Sequence, residues 1–231
     1  MASRKEEKER LRREREERER AAASGAHRRR LIGYGVGGVL VLAALVALGI
    51  VILTSGGASD GGESEDGGPR PTADLPTSPV PPPRETDFAR AIEAAGCISR
   101  RSPAEGRGHT TSSVRYRSNP PTSGRHHPVP ADDGAYAESP GNERLVHALE
   151  HGRIIYQFRP SAPERLRGQL KSLFDEDPYH VILVPNPDMP HEVAATAWTE
   201  LLGCRQANDQ VFDALRAFKQ RNRDRGPEFV P

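Results

Sequence analysis

Four of the eight histidines in this chain fall within residues 120–158, as the neighbours His126 and His127 and the pair His147 and His151. Gly, Pro and acidic residues separate the two groups. His147 and His151 stand four positions apart, so on a helix both rings lie on one face within reach of a single ion. His126 follows Pro120-Pro121-Thr122-Ser123-Gly124, a stiff loop able to lie over that face, and His109 precedes it by a short stretch. Neutral imidazoles are good ligands for zinc and copper, and three or four that converge make a site. The chemistry implied is one copper or zinc ion held by His109, His126, His147 and His151, or an acid–base site built from them. Glu150, next to His151, is placed as an outer partner or a proton acceptor.

A helix must present the pair. Gly141-Asn142 starts it and Gly152 ends it. On its wheel Leu145 and Leu149 share one face, and His147 and His151 take the opposite one. Core packing therefore gives these histidines no task. The plain alternative is a pair of exposed or hydrogen-bonded histidines at a helix C-terminus, where the dipole favours positive charge.

Around that helix the pattern predicts a short helix capped by Thr86, carrying Phe88, Ile92 and Ala95 and stopped by Gly96. Strands are expected over 114–116, 154–158, 179–184 and 193–198. An amphipathic helix over 163–174 puts Leu166, Leu170 and Leu173 on one stripe. A last helix, capped by Asn208, turns Val211, Phe212, Leu215 and Phe218 to the core. Strands and helices alternate without a strict βαβ repeat. The expected fold class is a compact α+β domain with a short mixed sheet and flanking helices.

Apolar residues make up 35% of the chain and mean hydropathy is −0.67, so much of it is not core. Residues 1–30 carry 12 Lys and Arg against 7 Glu, while residues 86–231 balance 19 basic against 19 acidic groups. A balanced main domain gives no electrostatic reason to expect nucleic acid. Residues 31–53 are uncharged and mostly apolar, long enough to cross the roughly 30 Å hydrocarbon core as a helix. Arg28-Arg29-Arg30 before the run and acidic residues after it place residues 1–30 in the cytoplasm and the rest outside. The run is longer than the apolar part of a cleaved signal peptide, so it reads as a retained single-pass anchor. Gly33-x-x-x-Gly37 would let two such helices approach as a weak homodimer. Residues 54–85 read as a disordered linker, Gly/Ser/Asp-rich and then holding seven prolines within 69–83. The expected domain is 86–231. Its two cysteines, Cys97 and Cys204, stay free thiols in a reducing compartment and form one long-range disulfide in an oxidising one. The outward topology favours the disulfide.

The motifs Gly108-His109, Tyr116, Pro120-Pro121-Thr122-Ser123-Gly124-x-His126, Gly134-x-Tyr136 and Val146-His147-x-Leu149-Glu150-His151-Gly152 occur in an order that resembles a bacterial family, the domain of unknown function 3105. Trp198, Cys204 and Pro227-Glu228 are similar to it too, so the resemblance covers roughly 97–228. It implies a membrane-anchored or exported protein and no particular reaction. It marks Tyr116 and Ser123 as outer partners of the site. His127 lies outside the motif, which favours His126 as the ligand.

Three other functions compete with metal binding. His147-Ala148-Leu149-Glu150-His151 matches the His-x-x-Glu-His of inverted zinc peptidases, with Glu228 near the place of a third ligand. Their motif helix continues, whereas Gly152 and the strand after it cut this one short. A thiol hydrolase with Cys97 as nucleophile and His147 as base needs Cys97 free. The third is a non-catalytic module binding an envelope protein or wall component. The leading reading is a membrane-tethered extracytoplasmic domain that binds a transition metal.

Overall fold

A computed structural model describes residues 68–228 apart from 73, together with 230, all within the unit Gly62–Pro231. The charged stretch 1–30, the apolar run 31–53 and the linker up to residue 67 lie outside the described residues. Among the described residues no helix is long and apolar enough to cross a membrane.

The described residues form six strands: β1 (Ile98–Arg101), β2 (Gly134–Ala135), β3 (Ile154–Phe158), β4 (Val181–Pro185), β5 (Val193–Ala197) and β6 (Glu200–Cys204). They make one sheet in the order β1-β6-β5-β3-β4-β2. β2, β4 and β3 run parallel and the remaining pairs are antiparallel, so the sheet is mixed as expected. The helices are α1 (Phe88–Ala95), α2 (Asn142–Glu150), α3 (Glu164–Glu176) and α4 (Val211–Asn222). The domain is α+β.

β3 reads Ile-Ile-Tyr-Gln-Phe, an almost unbroken apolar run, because both faces of the sheet are covered at its centre. Ile154, Tyr156 and Phe158 join Leu170 and Leu173 of α3 and Phe212, Leu215 and Phe218 of α4 in the larger core. Ile155, one position out of phase, turns to the other face with Leu145 and Leu149 of α2, Ile182 and Val184. α2 is thus the helix on its own side of the sheet, and its leucines hold it there.

Several expectations shift. Asp87 rather than Thr86 caps α1, its carboxylate accepting from Arg90 N at 3.0 Å. The strand expected at 114–116 does not form. Val114 N–H donates to Glu143 Oε1 at 2.8 Å and Arg117 N–H to Glu105 Oε2 at 3.2 Å, so carboxylates take the donors a neighbouring strand would use. β4 starts at Val181, after His180 enters the left-handed region at φ 51° and leaves Tyr179 exposed. β1 was not expected. Its Ile-Ser-Arg-Arg is exposed throughout and is held by its ladder to β6, the adjoining Cys97–Cys204 bridge and the Arg101–Glu200 ion pair.

The second half of the expected linker lies along the domain. Ser172 Oγ and Gln169 Nε2 of α3 donate to the carbonyls of Ser78 and Pro79, and Leu75 and Val80 pack against the larger core. A Cβ on Gly168 would sit 2.6 Å from Ser78 Oγ, so that glycine makes room for the passing strap. The disulfide joins Cys97, just past α1, to Cys204 at the end of β6. Cys97 is therefore no nucleophile, and the thiol-hydrolase reading falls.

Candidate metal centre

α2 is buried on both faces. Leu145 and Leu149 meet the sheet as the wheel predicts, but the opposite face does not meet solvent. His147 and Glu150 are each only 4% exposed. Residues 105–127 form the cover, pinned at several points. Thr199 N–H, between β5 and β6, donates to Thr122 O at 2.8 Å. Asn186, after β4, donates to Asn119 Oδ1 and to Gln157 Oε1 in β3, tying the Pro120-Pro121 loop to the centre of the sheet.

That loop delivers His126 fully buried, with Trp198 edge-on to its ring at 6.4 Å. Gly124, at φ 132°, lies so close to the Tyr116 ring that a Cβ would be 2.9 Å from it. A backbone bridge pairs His109 with His126 through Thr110 N–H to His126 O and His126 N–H to Gly108 O. The expected outer partners act on the loop. Ser123 Oγ accepts from Glu105 N, and Tyr116 Oη donates to Arg125 O at 2.7 Å. Burial, then Glu143 and Glu105, push the Tyr116 hydroxyl above its ordinary value, keeping it a donor.

The histidines meet. Ring centroids of His109, His126 and His147 lie 4.7 to 5.0 Å apart. One ligand atom from each of His109, His126, His147 and Glu150 lies within 4.8 Å of the other three. Glu150, expected as an outer partner, stands inside the group. His151 stands beside it, its Nε2 at 3.0 Å from His147 Nε2 and 3.8 Å from Glu228 Oε2.

Protonation follows from the partners. His126 Nδ1 lies 2.9 Å from Gly124 O, and His147 Nδ1 lies 2.7 Å from His127 O. A carbonyl has no proton to offer, so both Nδ1 atoms carry one and donate it. Each neutral ring then presents a bare lone pair at Nε2. His126 Nε2 is buried with no hydrogen-bond partner, although Glu150 Oε2 is 3.0 Å away. Proximity is not alignment: the carboxylate is beside the nitrogen without a hydrogen-bond angle. Two acceptors face each other there, an arrangement a cation relieves. A backbone carbonyl on the far nitrogen is also how ligating imidazoles are oriented. The residues present fit an ion.

Burial first, and then the neighbouring histidines, hold His147 down to about 4, against the hydrogen bond to His127 O, which raises it. Burial also lowers His151, offset in part by Glu228. The unfolded chain therefore takes up protons between pH 6.5 and 4 that folded His147 refuses, so acid favours unfolding. Metal-free protein is expected to lose up to about 3 kcal/mol over that window through His147. Thermal melts of wild type and His147→Gln from pH 7 to 4 check it. Parallel slopes for the two would overturn it.

Two residues near the site were not singled out from sequence as belonging to it. Arg107 Nε reaches Glu150 Oε1 at 3.5 Å from an exposed position, and only its place beside Gly108-His109 hinted at a role. His180 donates to Asp224 at 2.7 Å, which fixes the C-terminal segment that runs past Gly152 and brings Glu228 to His151.

A small mixed-sheet α+β domain in which buried His126, His147 and Glu150 and an exposed His109 gather under a proline loop is the class of protein defined. The pattern of the family described as Protein of unknown function (DUF3105) matches residues 109–230, more than half of the 231, and the chain belongs to that family. No curated protein and no solved structure matches it.

Proposed function

We propose that this chain is a single-pass, membrane-tethered protein whose extracytoplasmic domain binds one copper or zinc ion through His109, His126, His147 and Glu150. One observation carries the reading. Two buried imidazoles spend their Nδ1–H on backbone carbonyls, leaving Nε2 lone pairs that gather around a buried carboxylate. His151 is the candidate fifth donor, oriented from outside by Glu228. The donor set favours zinc or copper(II) over copper(I), because no thiolate or thioether is in it. With both present in excess, copper(II) should win. The tether rests on residues 31–53 and the basic cluster before them.

The zinc-hydrolase reading keeps one point in its favour, the approach of Glu228 to His151. Against it, Glu150 stands among the histidine ligands and is paired with Arg107 rather than free to activate water. An envelope interaction module remains if no metal is taken up.

The test is one preparation. The full chain, expressed and fractionated, is expected in carbonate-washed membranes. After detergent extraction, loading and dialysis it is expected to hold about one zinc or copper per chain. Recovery in the soluble fraction removes the tether, and uptake of neither metal removes the centre.

A further inference from the structure

β1 and β6 close one edge of the sheet, and the two faces of that pair differ. Cys97, Leu202 and Cys204 belong to the larger core. The opposite face carries Ile98 and Arg100, paired with Gly203 and Leu201. No helix covers it. The 117–119 segment and the Pro190-His191 turn border it instead, leaving a cleft of about 390 Å³.

Three arginines line this cleft, Arg100, Arg117 and Arg205, and no acidic residue does. Some arginines elsewhere in the domain are neutralised, as Arg101 is by Glu200, Arg153 by Asp133 and Arg216 by Glu176. Among the described residues no such ion pair involves the three in the cleft. Solvated surface arginines alone would mean little. The second observation is His191, 94% buried, lining the same cleft, with Nδ1 inside the protein and no hydrogen-bond partner. A Cβ on Gly203 would lie 2.4 Å from its ring, so the strand gives up a side chain to seat it. Burial first, then Arg205, Arg159 and Arg100, lower its proton affinity, which reports the positive field there. The tautomer that leaves the buried Nδ1 bare puts the N–H on Nε2.

We infer that this cleft binds the phosphate of a phosphate monoester, gripped by Arg100, Arg117 and Arg205, with the Nε2–H of His191 as a further donor. Guanidinium forks match phosphate oxygens two at a time, and a dianion suits three uncompensated positive charges. The cleft has the volume of a small-molecule site and is larger than an inorganic ion needs. Ile98 and Leu201 supply an apolar wall for the organic part. The inference does not rest on the metal centre.

The full chain in detergent is titrated by calorimetry with glycerol 3-phosphate and with inorganic phosphate. EDTA is present so that no bound metal contributes, and ionic strength is held with chloride. Glycerol 3-phosphate is expected to bind below millimolar and more tightly than inorganic phosphate. Arg100→Gln and Arg205→Gln are each expected to weaken it about tenfold or more, and the double variant to abolish it. Arg165→Gln, exposed on α3, should leave it unchanged. All three cleft arginines are exposed, so melting temperatures should stay within a few degrees. Flotation with vesicles containing phosphatidic acid distinguishes a lipid source from a soluble one, since the same monoester then sits on a membrane. No binding of either soluble phosphate at 10-fold above millimolar together with no flotation overturns the inference, as does full binding by the double arginine variant.

Discussion

Metal bound per chain is expected to fall from about one to none when His126 and His147 are both replaced by glutamine. The expectation rests on the two Nε2 lone pairs, of which His126 Nε2 has no hydrogen-bond partner and His147 Nε2 meets only the His151 ring at 3.0 Å. Residues that only orient a ligand typically cost 10–100-fold in metal affinity when changed, so losing a ligand should exceed 100-fold for either single variant. From sequence alone His147 and His151 lie opposite the leucine face of their helix, where core packing gives them no task. The structure corrects this for His147, which like His126 is buried and satisfies a backbone carbonyl. Alanine would leave Gly124 O and His127 O unpaired at roughly 1–3 kcal/mol each, which is why glutamine is the better probe. Glu150→Gln is the sharpest single test, since it removes charge and keeps shape. His127→Gln and His180→Gln should retain full uptake. Wild-type affinity in both Glu150→Gln and His126→Gln, with folded melts, would place the ion elsewhere or nowhere.

Removing the Cys97–Cys204 bridge is expected to destabilise the domain by about 4–5 kcal/mol. The pair stands 107 residues apart in sequence, so the bond closes most of the domain into one loop and restricts the unfolded chain accordingly. It also fastens β1, an exposed edge strand, beside β6. Cys97→Ala/Cys204→Ala should melt roughly 10–20 °C below wild type for a domain of this size. Below its own melting point the variant should bind metal as wild type does, because neither cysteine belongs to the histidine group. An unchanged melting temperature, or two thiols that alkylate without reductant, would refute the expectation.

Several local features are legible in the sequence. The run 154–158 has β3's bounds because a strand buried on both faces is apolar throughout. The glycines on either side of α2 set its ends, since the chain enters the left-handed region at Gly141, φ 97°, and Gly152, φ 83°. The histidine group was visible in type and spacing, and so was the cysteine pair.

The remainder depended on contacts between distant residues. Glu150 looked like an outer partner because its neighbour His151 completed the i,i+4 pattern. Its carboxylate lies inside the group because His126 is set beside it by a loop held by Thr199 and Asn186 from far along the chain. Periodicity reports which face of a helix is apolar, but not what covers the other one. The same holds for the prolines at 74–85, whose composition says extended backbone and whose hydrogen bonds to α3 exist only in the folded domain. The arginines around His191 are unremarkable in sequence. β1 and β6 bring them together by pairing strands about 100 residues apart. Most helices, the buried strands and the chemical types at the centre were legible in the chain because they depend on near neighbours, whereas β1 and the missing strand at 114–116 depend on distant partners. Tertiary structure alone decided which donors converge and what encloses them, because that depends on where distant loops find their hydrogen-bond partners.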